Sequence, residues 1–182
     1  ISTSVVLLAL FMGIALGGAA GYMGGLADEV ISRVIDLFLS FPSMIFALAI
    51  VGALGSSVFN LILALALVHW ASYARLMRGQ VLSVKSNDYV SSARVIGASD
   101  RRILVKHILP NALAPVIVLA ALDMGHVILS AAALSFLGLG IPPSIPEWGS
   151  MLNAGKEFMR TAPYLTIFPG MAITMTVVLF SL

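Results

Sequence analysis

The 182-residue sequence is 60% hydrophobic and only 10% charged, with a formal net charge of +2 and a mean hydropathy of +1.06. Soluble domains average about 25% charged residues, so a soluble globular domain is excluded. The absence of cysteine removes disulfides, thiolate metal sites and cysteine nucleophiles, and the positive charge is gathered in one segment as a topology signal, which sets nucleic-acid binding aside.

Uncharged runs extend over Ile1–Ala27, Leu37–Ala74, Met124–Pro146 and Thr161–Leu182. A helical span needs roughly 20 apolar residues, so the second run is long enough for two. The expected fold is all-α, a polytopic transmembrane helical bundle with five spans at about 4–25, 37–54, 58–77, 112–137 and 166–182. The chain begins inside an apolar run without Met and stops inside another. It therefore reads as part of a longer protein, with one more span expected upstream.

The first span is rich in glycine (Gly13, Gly17, Gly18, Gly21, Gly24, Gly25). Small residues let helix backbones approach closely in lipid, and a packing face is the expectation. No strand precedes these glycines and no polar helix follows, so they are no nucleotide fingerprint. Asp28 is placed to cap a new helix, with Val30, Ile31, Val34, Ile35 and Phe38 at helical spacing behind it. Pro42 stands near the start of the second span, where a missing N–H is tolerated. Gly55-Ser56-Ser57 marks the turn into the third. There His69 and Trp70 have two readings: an interface belt, or the lining of a pathway.

In the fourth span Asp123 and His126 stand three apart and share a helix face. A carboxylate at that depth costs at least about 2.5–3.5 kcal/mol unless paired or hydrated. The pair is either a self-satisfied structural pair or, with His69, part of a translocation path; no metal site is assigned. Residues 138–164 form a long loop holding Pro142, Pro143, Pro146, Trp148 and Pro163. Met151, Leu152, Phe158 and Met159 are placed to line one side of a short interfacial helix. Its two basic residues, Lys156 and Arg160, set it outside.

The polar stretch Arg75–Asn111 carries seven of the ten Lys and Arg residues against Asp88 and Asp100, which places it on the cytoplasmic side. Its loop, about 78–111, reads as two short helices. Ser86 or Asn87 caps a segment from Asp88 to about Ile96, and Gly97 ends it in the left-handed conformation. Ser99 or Asp100 caps a second segment running towards Pro110. Val90, Ala93, Val95 and Ile96 give this knob an apolar side that lipid does not cover, which calls for a partner protein.

The stretch SSARVIGASDRRILVKHILPN resembles the cytoplasmic signature of binding-protein-dependent ABC importer permeases: Glu-Ala-Ala, three residues, Gly, then Leu-Pro with its proline thirteen residues beyond the Gly. Ala93, Gly97, Leu109 and Pro110 stand at that spacing, whereas Ser91 and Ser92 replace the Glu and first Ala. ARLMRGQVLSVKSNDYV, ALSFLGLG and PEWGSML resemble the peptide and nickel branch of the same family, and the resemblance covers essentially the whole chain. It implies a MetI-like fold in the cytoplasmic (inner) membrane of a prokaryote. It also implies a coupling loop around Ser91, Ser92, Ala93, Gly97, Ala98, Ser99, Asp100, Leu109 and Pro110. The implied partners are a second homologous permease, as a heterodimer, two cytoplasmic ATPase subunits and an external substrate-binding protein. ATP and Mg belong to the ATPases, because no Gly-x4-Gly-Lys-Ser/Thr occurs here. HWASYAR and LDMGH look more like the nickel type than the di- or oligopeptide type. Two other classes compete. An ATP-independent channel or secondary cation transporter leaves the knob without a task. An intramembrane aspartyl protease lacks a second acid.

Overall fold

The computed structural model describes residues 1–142 and 144–181; Pro143 and the final residue of the fifth expected span, Leu182, lie outside the described residues. The elements in order are α1 (Ser2–Met23), α2 (Gly25–Ser40), α3 (Ser43–Leu54), α4 (Val58–Lys85), α5 (Asp88–Val95) and α6 (Asp100–Arg102). A π-helical turn (Ile103–Ile108), α7 (Leu109–Phe136), α8 (Trp148–Gly155), a short 3-10 turn and α9 (Tyr164–Ser181) follow. Among the described residues three helices are long and apolar enough to cross a membrane: Ser2–Met23, Val58–Lys85 and the continuous run Asp100–Phe136. The pair α2–α3 makes a fourth such segment if counted as one, and Tyr164–Phe180 is a shorter apolar helix.

The chain divides into two compact units, one of Ile1–Leu7, Pro42–Val68 and Ala121–Leu182, the other of Leu8–Phe41 and His69–Ala120. In the second, α1 lies directly on α4. Gly13, Gly17 and Gly21 recur every four residues and so share one face. A Cβ on Gly17 would stand 2.2 Å from the Ala74 carbonyl oxygen, and one on Gly13 2.5 Å from Tyr73 Cβ. Only glycine permits that approach, and the α4 face beneath it, Tyr73, Ala74, Met77 and Val81, is fully buried.

The opposite arrangement, polar and longer-reaching, joins α2 to α4. Asp28 receives both Arg78 Nε and Nη2, the latter at 2.8 Å, and Asp36 receives Arg75 Nη2 at 2.6 Å. Phe38 meets Trp70 edge-on with ring centroids 5.2 Å apart. Asp28 therefore does not cap α2, as its sequence position suggests; Gly24 holds the N-cap position, and the carboxylate goes to a guanidinium instead. Trp70 is only 3% exposed, which removes it from an interface belt, where the indole N–H would reach headgroups.

The expected second span, 37–54, is not one helix. Pro42 disfavours helical geometry in its predecessor, Phe41 is extended at φ −87°, ψ 141°, and the helix breaks there into α2 and α3. The turn after α3 falls at Gly55 (φ 85°). Asn60 ties it by donating to Leu54 O (2.9 Å) and Gly55 O (3.0 Å), while Ser57 Oγ accepts from Asn60 N.

In the first unit α7 ends at Gly138 (φ 80°), with Gly138 N–H bonded to Ser135 O and Leu139 N–H to Leu134 O. Glu147 caps α8 by accepting from Ser150 N at 3.0 Å. That helix is held in the unit by its small residues. It packs through its glycines, with a Cβ on Gly149 falling 2.3 Å from Ala132 O and one on Gly155 2.9 Å from Thr166 Cγ2. Met151, Phe158 and Met159 remain exposed, whereas Leu152 reaches towards Gly170.

Candidate functional site

The polar segment between α4 and α7 is mostly helix rather than loop. α4 runs on to Lys85, because charged residues stop an apolar run without stopping a helix. After Ser86–Asn87 the chain enters α5, with Asn87 in extended N-cap geometry and its carbonyl accepting from Val90 and Ser91 N–H. No side-chain capping bond is made there, nor by Ser99 at the start of α6.

α5 ends on a Schellman motif. Ala98 N–H bonds to Ala93 O and Gly97 N–H to Arg94 O, both at 3.1 Å, which satisfies the carbonyls that a helix end leaves open. Gly97 has φ 86°, a region where an L side chain is strained, yet nothing lies within 4 Å of a Cβ built on it. Here the backbone conformation demands glycine, and space does not.

The helix splits its apolar residues between two faces. Val90 and Ala93 are buried in the unit, while Val95 and Ile96 are 87% and 84% exposed. Ser91 and Ser92 are exposed as well. The apolar side that was expected to be free is thus half used, and what projects is the Val95–Ile96 tip beside Gly97.

The second helix of the knob does not end at Pro110. It continues into α7 through the π turn, whose end is marked by Leu109 N–H bonding to Leu104 O. A proline inside a regular α-helix loses one bond and clashes with the carbonyl four residues back; the wider turn eases that clash. Asn111 Nδ2 donates to His107 O at 2.7 Å, taking up a neighbouring carbonyl. Leu109 turns towards Gly18.

A third feature was not visible in the sequence. Tyr22 Oη, at the end of α1, donates to Asp100 Oδ1 at 2.7 Å and lies 3.0 Å from Asp100 O. Lys85 Nζ donates to Tyr22 O at 2.7 Å and sits 5.3 Å above the Tyr22 ring. Arg94 approaches Asp100 at 3.9 Å. The knob is therefore pinned to the end of α1, and α1 in turn to the end of α4, by residues 78 and 63 positions apart, a link that no short-range pattern signals.

The other expected residues divide between the units. His126 Nδ1 and Asp123 Oδ1 are 3.2 Å apart on α7, with the carboxylate 17% and the imidazole 78% exposed. His69 is half-buried on α4 and belongs to the other unit. Among the described residues no group of three or more His, Asp or Glu is placed to hold a metal ion.

Apolar helices in series, interrupted by one basic, Gly-capped helical knob with an exposed apolar tip, define a multi-pass membrane protein. Residues 13–182 match the family described as binding-protein-dependent transport system inner membrane component, and the chain belongs to it. It is 44% identical over 96% of its length to the dipeptide transport system permease protein DppC of Alkalihalophilus pseudofirmus, covering 57% of that protein. It is 43% identical over 97% to the glutathione transport system permease protein GsiD of Pectobacterium atrosepticum, covering 59%. It is 40% identical over 97% to the nickel transport system permease protein NikC of Escherichia coli K12, covering 64%. The chain thus spans about three fifths of the length of these relatives. A chain of the MetNI methionine ABC transporter in an inward-facing conformation shares the fold, with a TM-score of 0.70 at 18% identity over 98% of this chain and 87% of that one.

Proposed function

We propose that this chain is the membrane-spanning permease subunit of an ATP-driven importer in the inner membrane of a prokaryote. Its partners are a second homologous permease, two cytoplasmic ATPase subunits and an external substrate-binding protein. ATP and Mg act on the ATPases; this subunit carries the path and receives the force. The observation that supports the reading most strongly is the Val95–Ile96 tip, 87% and 84% exposed on a turn held rigid by the Schellman bonds at Gly97. An apolar tip on a basic segment outside the apolar runs is a surface for a protein partner. A rigid base under that tip lets a displacement of the partner move the helix that continues from Asp100 to Phe136.

The cargo class is small peptides or chelated nickel. Relatives whose names carry dipeptide, glutathione and nickel stand at 44%, 43% and 40% identity, too close together to favour one. Bare nickel finds little support in the site itself, because Asp123 and His126 are bonded to each other and borderline metal ions are held by several such donors at once.

Replacing Gly97 tests the coupling. In the full-length assembly, Gly97→Val is expected to abolish ATP-driven uptake while the permease remains inserted and assembled with its sister subunit. Unchanged ATP-coupled uptake contradicts the proposal, and so does uptake by the full-length protein with no ATPase present, which is the behaviour of a secondary transporter.

A further inference from the structure

Beside the Gly97 turn the second unit contains a cleft of about 260 Å³ whose walls include Ala93, Ile96, Gly97, Arg102, Lys106 and His107. Arg102 and Lys106 are exposed and His107 half-exposed. Among the described residues these three side chains form no hydrogen bond or ion pair; the nearby acid, Asp100, is occupied by Tyr22 and Arg94. Lys106 and His107 both lie in the π turn Ile103–Ile108. Because π-helical bonds join residues five apart, side chains four and five positions after Arg102 straddle a single face there. The turn therefore gathers three basic groups that a regular helix would spread more widely, and leaves them without a counter-charge.

Their depth indicates the missing anion. Lys106 and His107 precede Ala112, where the next apolar run begins, by six and five residues, about 8–9 Å along a helix axis. The headgroup layer extends roughly 5–8 Å beyond the hydrocarbon on each side, and long basic side chains bend towards it. We infer that the cleft formed by Arg102, Lys106 and His107 beside Gly97 binds the phosphodiester headgroup of an anionic phospholipid. Basic pockets beside membrane helices on the cytoplasmic side bind such headgroups. Bound there, the lipid touches the wall of the turn that carries the Val95–Ile96 tip. The site lies on the knob proposed above to meet the ATPase; because its test reads lipid retention and not uptake, either reading can fail alone.

The test uses full-length permease purified in detergent, with native mass spectrometry after adding phosphatidylglycerol or phosphatidylcholine. Wild type is expected to retain phosphatidylglycerol about thirtyfold better than phosphatidylcholine, the order expected of the two cations Arg102 and Lys106 near a headgroup. The variant R102Q/K106Q/H107Q is expected to lose that preference. R102K, which keeps the charge, is expected to retain it and guards against simple misfolding. Equal retention of phosphatidylglycerol by wild type and the glutamine variant overturns the site. Displacement of the lipid by millimolar inorganic phosphate assigns the cleft to a free anion and overturns it too. Loss of co-purifying ATPase from the glutamine variant, with lipid retention unchanged, assigns the cleft to an acidic protein segment, again against the lipid.

Discussion

Two glycine-dependent regions of the second unit obey different physics. Along the α1–α4 seam Gly17 is helical and crowded, with a Cβ due to fall 2.2 Å from Ala74 O. In the knob Gly97 has open space around it and a φ of 86°. The first glycine is required because two backbones touch, the second because the chain must turn left-handed. The seam is a static contact buried among Tyr73, Ala74 and Met77. The knob is a held projection, with its tip outside and its base pinned by Tyr22, Lys85 and Asp100. A force-receiving element needs both: a rigid shaft and an exposed end.

The contrast can be broken most severely at the seam. Gly17→Leu places a branched side chain against an unyielding backbone. Overpacking commonly costs 1–3 kcal/mol, and a backbone clash lies at or beyond the top of that range, so a loss of about 3 kcal/mol is expected. The readout is thermal unfolding of the purified full-length chain in detergent. Stability equal to wild type would show that α1 and α4 do not touch there.

At Gly97 the order of substitutions separates conformation from crowding. Valine should cost about 1–2 kcal/mol of local stability, because it is forced into the left-handed region. Asparagine tolerates that region and should keep most of the uptake. Crowding would produce the ranking by size instead, with asparagine and valine equally damaging. Uptake and unfolding midpoints measured side by side across Gly97→Val and Gly97→Asn decide between them.

The smallest effect is expected at the latch. Tyr22→Phe removes one hydroxyl bond to a carboxylate at a partly exposed site, worth about 1 kcal/mol. It should raise hydrogen exchange of the Asp100–Ile103 amides while leaving the α1–α4 seam protected. Equal deprotection of both would make Tyr22 part of the seam and not a pin for the knob.

What could be read beforehand follows from how local each cause is. The left-handed end at Gly97 and the turn at Gly55–Ser57 are decided by one or two residues and their immediate neighbours, and both were legible. The end of α4 was not, because Arg75 stops an apolar run while remaining a good helix former, and the helix continues to Lys85. The break at Phe41–Pro42 was underestimated. Proline tolerates the first turn of a helix, yet it disfavours helical geometry in the residue before it, and at Phe41, unlike at Leu109 with its π turn, the helix breaks. Asp28 satisfied a capping rule in sequence, but its strongest partner, Arg78, lies 50 residues away. Tyr22 carried no pattern at all; its role comes from the tertiary meeting of α1 with Asp100. The Asp123–His126 contact was legible from its three-residue spacing, while the burial of Trp70 depends on Phe38 and the packing around it.

The claim that matters most is that the Val95–Ile96 tip docks on an ATPase through the turn at Gly97. These 182 residues hold no cysteine, so a single thiol introduced among them carries no background from this segment. In the assembled transporter of full-length subunits, Ile96→Cys bearing a short photo-crosslinker is expected to capture an ATPase subunit. Adding Gly97→Val should reduce that capture about tenfold, the equivalent of the left-handed strain it introduces. Capture from a cysteine at the exposed Leu82 of α4 but none from Ile96 would contradict the account, because the force would then enter this subunit somewhere other than the knob.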